Sequence, residues 1–218
     1  MHSAIRRTRR GALALGALLT LAAAPGVAQG ATVEDGWADW GVEQGLRDTF
    51  VPASLYHRIW SPATASPLDG DIFRFPVDAA AATSYTYDAR RPTADAGTIE
   101  TDGGVEIGYH LGAPRPGNAY GIWVNFQDLE IALDGRGGGT LTAVTEAGFH
   151  GSDPTPRVER TFATIDLTAG TRTYNPATRT VTWSDVPTTL TAAGEEIGNG
   201  TYLSGDPLDP ISFSVELG

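Results

Sequence analysis

The chain opens with a basic segment that is followed by an apolar one. Residues 1–10 contain four arginines and no acid, and residues 11–24 then run without a charged side chain. Pro25 and Gly26 end the apolar run, and small residues follow it. A run of about 14 residues is too short for a membrane-spanning helix, which needs about 20, but it suits the apolar part of a secretory signal. The pattern therefore predicts a signal peptide over residues 1–30.

The next apolar positions are spaced as in a helix. Val42, Leu46 and Phe50 follow one another at intervals of four residues and so share one helical face. Pro52 stops any helix that runs through them. We expect an amphipathic helix over residues 37–50 whose apolar face packs against the core.

Beyond about residue 70 the pattern changes to the alternation of polar and apolar positions that is typical of β-strands. The alternating segments are residues 71–75, 85–87, 105–109, 122–126, 129–133, 140–144, 162–167, 180–183 and 211–217. Asp134-Gly135 directly follows one of them and is a strong hairpin signal. Residues 191–197 are compatible with a second short helix.

These elements predict a mainly β fold, an antiparallel β-sandwich or barrel-like domain with one or two short helices. The 27 glycines and 14 prolines of the chain separate the strands. Neither a repeat nor a linker composition interrupts the remainder, so residues 31–218 are expected to form a single domain. Because the chain contains no cysteine, no disulfide supports this domain and its core must hold it together.

The net charge of the chain argues against some classes of partner. The chain contains 15 basic and 26 acidic residues, which gives a net charge of −11. Residues 1–30 contain four of the basic residues and none of the acidic ones, so 11 basic and 26 acidic residues remain and the mature domain carries −15. Nucleic acid and anionic membranes are not expected as partners, because their phosphates need basic patches. No further apolar run of spanning length follows, so no direct membrane insertion is expected.

The motifs of common enzymes are missing from the chain. It contains no cysteine nucleophile, no GxSxG elbow and no HExxH pair. The histidines of the mature domain, His57, His110 and His150, are too dispersed to indicate a zinc site. A pair of carboxylates suited to glycan hydrolysis stays open as an alternative, because 26 acids provide many pairs. We predict that the protein is not an enzyme.

Two tyrosine–histidine pairs are candidate ligands of a metal. Tyr109 and His110 end a strand pattern where the chain turns, and Tyr56 and His57 lie in the loop expected after the first helix. Phenolate oxygen and imidazole nitrogen both bind haem iron. Ordinary positions at a strand edge or in a loop are the alternative. Tyr202, in a glycine-bounded turn, is compatible with a structural tyrosine whose hydroxyl bonds to the backbone.

Several segments, in order and without a large gap, carry a resemblance to a known family. They are WGVEQGLRDTFV (40–51), DGDIFRFP (69–76), GVEIGYH (104–110), WSDVPTTLTAAG (183–194) and GTYLSGDPLDPISF (200–213). Together they resemble the HtaA-type haem-binding domain of bacterial haem uptake over roughly residues 36–218. The resemblance implies a mostly β fold with short helices beside a haem pocket, and a secreted or cell-wall-associated protein.

The resemblance also implies which residues contact haem. In the family, a tyrosine of the first helix holds the haem iron and a histidine of the third matching segment supports it. His110 occupies the histidine position, whereas Phe50 occupies the tyrosine position and has no oxygen for the iron. Three interpretations stay open: Tyr56, Tyr109 or His57 replaces the missing ligand, His110 binds the iron directly, or this chain no longer binds haem.

We therefore predict a secreted, non-catalytic haem-binding protein of an iron-acquisition system. Its ligand would be haem or a porphyrin, and its partner a membrane-held haem-uptake protein. Tyr202, in the last matching segment, is expected to contact the cofactor as well. The alternative is an extracellular adhesion or carbohydrate-binding sandwich that has lost haem ligation and uses exposed Trp60 and Trp123 as stacking platforms.

Overall fold

Antiparallel strands make up most of the part of the chain that the computed structural model describes, which is residues 29–45, 55–66, 72–81, 83–110, 121–149, 152–198 and 200–218. The strands are β1 (Gln29–Trp40), β2 (Leu55–Trp60), β3 (Thr64–Ala65), β4 (Phe73–Pro76), β5 (Ser84–Tyr87), β6 (Ala96–Glu100), β7 (Gly104–His110), β8 (Gly121–Asp134), β9 (Gly138–Gly148), β10 (Val158–Asp166), β11 (Thr171–Asn175), β12 (Thr180–Leu190) and β13 (Pro207–Leu217). The short helix α1 (Ala192–Glu195) and a 3₁₀ turn (Pro92–Ala94) accompany them. No helix within these ranges is long and apolar enough to cross a membrane.

The strand pairings join the first and last strands in one sheet. Neighbouring strands follow the order β11-β12-β10-β9-β8-β6-β5-β1-β4-β3. β13 pairs with both β1 and β12, so the pairings lead from β1 through β8 and back to β1. β7 and β2 extend the sheet from the first half of β8. All of these pairings are antiparallel, which confirms the predicted mainly β fold.

Every segment with strand alternation overlaps a strand of the structure. Residues 122–126 and 129–133 are both parts of the long strand β8. Asp134 turns the chain into β9 as predicted, because its carboxylate accepts hydrogen bonds from the backbone N of Arg136 at 2.7 Å and of Gly138 at 3.0 Å. The same hydrogen bonds lower the pKa of Asp134. The predicted second short helix is α1.

The predicted helix over residues 37–50 is wrong in its first part. Trp37 to Trp40 belong to β1, where they pair with β4 on one side and largely with β13 on the other. Val42 then takes a backbone φ of +70°, which lies outside helical geometry, and helical residues begin at Gln44. The strand prevails because two ladders satisfy its backbone while Trp40 becomes fully buried.

Tyr56 and His57 lie in β2, whereas the sequence predicted a loop. Tyr56 pairs with Gly108 of β7, and His57 pairs with Ile107. The segment 55–60 reads LYHRIW, and aromatic and β-branched residues of this kind suit a strand. The loop predicted for these two residues is therefore wrong.

A buried charged network links parts of the sheet that are distant in sequence. Asp95 has no exposed surface. Its carboxylate accepts hydrogen bonds from the Tyr85 hydroxyl at 2.6 Å and from Trp183 Nε1 at 3.3 Å. It also accepts one from the backbone N of Asp88 at 3.1 Å and forms an ion pair with Arg172 at 3.2 Å. Because these partners lie on β5, β11 and β12 and in the loop after β5, the network fixes their mutual arrangement.

Asp95→Ala is expected to destabilise the domain strongly. The substitution leaves the Arg172 guanidinium buried without its carboxylate, and breaking a buried ion pair in this way costs about 3–5 kcal/mol. Urea denaturation followed by tryptophan fluorescence measures the loss. Asp153→Ala, at an exposed loop position, is the control and should change the free energy of unfolding by less than about 0.5 kcal/mol. Similar stabilities for the two variants would contradict the structural role of Asp95.

Candidate ligand-binding pocket

An apolar cavity of about 270 Å³ lies between the sheet and α1. Its wall combines the end of β1, the first half of β8 and parts of β10, β12 and β13 with the turn that follows α1. The apolar lining residues are Trp40, Val42, Ile122, Val124, Phe126, Phe149, Phe162, Leu190, Ile197 and Leu208, and the others are Glu43, Gly194, Gly198, Thr201 and Tyr202. A concave, mostly apolar site with few polar groups is the usual form of a small-molecule site.

One wall of the cavity is a cluster of packed aromatic rings. The Trp40 ring lies 5.2 Å from the Phe126 ring, at an interplanar angle of 86°, and 5.2 Å from the Phe162 ring, at 32°. The Phe126 and Phe162 centroids are 5.0 Å apart. Trp40 Nε1 donates a hydrogen bond to the Asp209 carbonyl at 3.0 Å, so its polar edge is satisfied inside the protein. The aromatic wall is therefore in place before any ligand arrives.

α1 closes one side of the cavity because the chain after β12 is held against β10. Thr191 Oγ1 caps the helix by accepting a hydrogen bond from Gly194 N at 3.1 Å, and Thr191 N donates to the Phe162 carbonyl at 2.9 Å. A Cβ atom at Gly194 would stand 2.3 Å from that same Phe162 oxygen. An ion pair of Arg160 with Glu196, 3.3 Å long, anchors the end of the helix.

Glu43 and Tyr202 form what we call the polar corner of the cavity. The Tyr202 hydroxyl donates to Glu43 Oε2 at 2.7 Å, and Glu43 Oε1 accepts from the backbone N of Gly45 at 2.8 Å. Burial raises the pKa of Tyr202, and the hydrogen bond to Glu43 raises it further. Glu43 is the one charged side chain among the described residues that line the cavity. The polar corner thus offers oxygen atoms and no positive charge.

The structure brings Tyr202 to the cavity and places the backbone of Tyr109 and His110 beside it. Tyr202 is one of the lining residues. Tyr109 and His110 end β7 as the sequence predicted, and they pair with Ile122 and Gly121 of β8. Because Ile122 is a lining residue, the backbone at the end of β7 lies beside the cavity.

The remaining predicted site positions are less completely placed. Tyr56 and His57 lie in β2, which pairs with β7 and is therefore one strand further from the lining strand β8. The structure describes the backbone of Tyr56, His57, Tyr109 and His110. Phe50 lies outside the described residues.

The structure corrects the interpretation of Tyr202. Its hydroxyl bonds to a carboxylate, whereas the sequence suggested a structural tyrosine bonded to the backbone. The sequence does not identify Glu43 as the partner of Tyr202, because the two residues are 159 positions apart and no local motif connects them. The sequence predicts Phe126 and Phe162 as strand residues and not as parts of a site. Their inward-facing positions in the strand alternation are the signal that could have identified them as lining residues.

The expectation of exposed tryptophan platforms is wrong for Trp123. Only 5% of its surface is exposed. Its indole covers Gly148 so closely that a Cβ there would stand less than 2.5 Å from the ring, and Trp60 is itself partly buried. Trp123 therefore does not provide the exposed stacking platform that the alternative of a carbohydrate-binding face required.

Comparison with known proteins identifies relatives of this chain. The profile of the HtaA family matches residues 35–214. No curated protein is significantly similar in sequence.

Solved structures from Corynebacterium glutamicum share the fold. The C-terminal domain of HtaA is 21% identical, with a TM-score of 0.62 over 85% of this chain and 98% of that domain. The N-terminal domain of HtaA is also 21% identical, with a TM-score of 0.62 over 86% and 99%. The haem-binding protein HtaB is 18% identical, with a TM-score of 0.55 over 88% and 96%.

Gly194→Ala is expected to destabilise the domain by moving α1 away from β10. The added methyl group would meet a backbone oxygen, which cannot yield as a flexible side chain does, and overpacking of this kind costs about 1–3 kcal/mol. Urea denaturation measures the effect. Ala192→Ser, at an exposed position of the same helix, is the control and should cost less than about 0.5 kcal/mol. A Gly194→Ala variant as stable as the parent would show that the close packing of α1 is unimportant.

Proposed function

This chain belongs to the HtaA family, and we propose on that premise that its domain binds haem as the cargo of a bacterial haem-uptake system. Among the solved structures with the same fold, HtaB is named a haem-binding protein. The observation that carries the proposal is the cavity, whose packed aromatic wall suits a flat, apolar macrocycle.

The residues of the cavity fit a porphyrin in shape and polarity. Trp40, Phe126 and Phe162 form a buried aromatic layer behind the cavity, and the partly exposed apolar side chains that line it are Ile122, Phe149 and Leu208. Tyr202 adds a phenol, a group that haem iron accepts as a ligand. Because the charge that lines the cavity is that of Glu43, the anionic propionates of haem are best accommodated facing water.

The size of the cavity favours a cargo that is partly enclosed. Its volume of about 270 Å³ is slightly below the usual range of small-molecule sites, which is roughly 300–1,000 Å³. A porphyrin would therefore keep one edge accessible. Such an edge is what a receiving protein needs in order to take the cargo over, which supports a relay role without catalysis.

The proposal also includes export of the protein from the cell and delivery of the haem to another protein. The basic and apolar pattern of residues 1–30 supports secretion. The strongly acidic mature domain disfavours nucleic acid and anionic lipid as partners, which is compatible with a secreted or wall-associated protein. The partner that we propose is a membrane-held haem-uptake protein that receives the haem.

A hemin titration of the mature domain tests the proposed function. Micromolar hemin should produce a Soret band, and Phe149→Ala should weaken binding by about 5–30-fold, since a buried aromatic contact contributes about 1–2 kcal/mol. Phe149 is suited to this test because it is a half-buried lining residue. Tyr174→Ala, which removes an exposed ring on β11, is the control and should leave binding unchanged. The absence of a Soret band in the parent domain would overturn the proposal.

A further inference from the structure

The family resemblance assigns the haem iron to a tyrosine, and the residue at that position in this chain has no oxygen to offer. Phe50 stands where the family resemblance places a tyrosine, but the cavity contains a phenol elsewhere, on the turn after α1. We propose that the Tyr202 hydroxyl oxygen binds the ferric iron of a porphyrin in this cavity and that Glu43 positions it. This inference depends on the proposed function, because it requires that a porphyrin enters the cavity.

Tyr202 is the most suitable donor among the lining side chains that the structure describes. Trp40 Nε1 carries a hydrogen that it already donates to the Asp209 carbonyl. Thr201 offers an alcohol, which is much less acidic than a phenol. Both carboxylate oxygens of Glu43 already accept hydrogen bonds. Phenolate, by contrast, is an established ligand type of haem iron.

The turn that carries Tyr202 is held by two backbone hydrogen bonds of the residues that directly follow it. The backbone N of Leu203 donates to Asp206 Oδ2 at 2.8 Å, and that of Ser204 donates to Glu195 Oε2 at 3.1 Å. The hydroxyl itself is fixed by its hydrogen bond in the polar corner. A ligand that is already held in place loses little conformational freedom when it binds a metal.

The position of Glu43 is in turn fixed by hydrogen bonds of the segment that follows β1. The backbone N of Gly45 donates to Glu43 Oε1 at 2.8 Å, and the backbone N of Gln44 donates to Asp209 Oδ1 at 2.8 Å. These contacts connect the segment after β1 to the start of β13. Glu43 therefore presents its second oxygen to the Tyr202 hydroxyl from a defined position.

The charges around the polar corner favour a cationic iron centre. Glu43, Glu195, Asp206 and Asp209 contribute to the hydrogen bonds of this region. The nearby guanidinium of Arg160 is paired with Glu196. A ferric porphyrin centre carries one net positive charge and a ferrous centre carries none, so surrounding acids stabilise the ferric state.

The binding step balances without any electron transfer. The iron–oxygen bond forms as the O–H bond of Tyr202 breaks, and the proton passes along the existing hydrogen bond to Glu43 and from there to water. The iron remains ferric throughout.

Paired titrations with hemin and with metal-free protoporphyrin separate iron ligation from ring binding. The parent domain should bind both, and its ferric complex should show a phenolate-to-iron charge-transfer band. Tyr202→Phe should lose this band and bind hemin at least about tenfold more weakly, while its affinity for protoporphyrin changes less than about twofold. Glu43→Gln should keep the band at a shifted position, because the Gln amide nitrogen can donate a hydrogen bond to the phenolate oxygen, which a carboxylate cannot. Tyr174→Phe is the matched control, since it removes a hydroxyl from an exposed tyrosine outside the cavity.

The outcomes distinguish the two proposals. Retention of the band and of hemin affinity in Tyr202→Phe would overturn the ligand assignment while leaving haem binding intact. Retained protoporphyrin binding in the same variant shows that the variant is folded. Failure of the parent domain to bind either compound would overturn the proposed function, and the ligand assignment with it.

Discussion

The packing of Trp40 inside the sheet is the interaction on which the rest of the pocket depends. Its ring contacts Phe126 of β8 and Phe162 of β10, and its Nε1 atom bonds to the Asp209 carbonyl of β13. One side chain of β1 thus fixes three other strands at the same place. Because the aromatic rings support one another, the wall keeps its shape without a ligand, and binding need not supply the free energy to build it. Replacing the Trp40 ring would remove the aromatic side of the cavity and the contacts that hold β1 to β8, β10 and β13 there.

The two ends of β8 lie in environments of opposite character. Its last residue, Asp134, pairs with Ala96, the neighbour of the buried Asp95 and its hydrogen-bonded network. Its first half instead contributes Ile122 and Phe126 to the cavity. Where Asp95 lies, polar groups satisfy one another and the interior is closed. At the cavity the lining is apolar, and hydrophobic burial is completed only when an apolar ligand enters.

The alternation of polar and apolar residues predicted the strands well, because inward and outward positions of a sheet differ in burial. It failed where the predicted helix included residues 37–40, so that Trp40 was assigned to a helix instead of β1. The family of the chain could also be predicted. Tyr202, an expected cofactor contact, lines the cavity, and its contact with a cofactor stays a prediction. The polar corner could not, because Glu43 and Tyr202 are far apart in sequence and meet only through the sheet. The burial of Trp123 was missed for the same reason, since it depends on the close approach of Gly148 on β9.

The central claim is that the aromatic cavity beside α1 is the haem site, and a crystal structure of the domain with hemin tests it most directly. Porphyrin density is expected in this cavity above the buried aromatic cluster and against the half-buried ring of Phe149, with the Tyr202 oxygen facing the iron. Hemin bound elsewhere on the protein, with the cavity empty, would contradict it. Iron anomalous scattering from the same crystals would locate the metal independently of the ring.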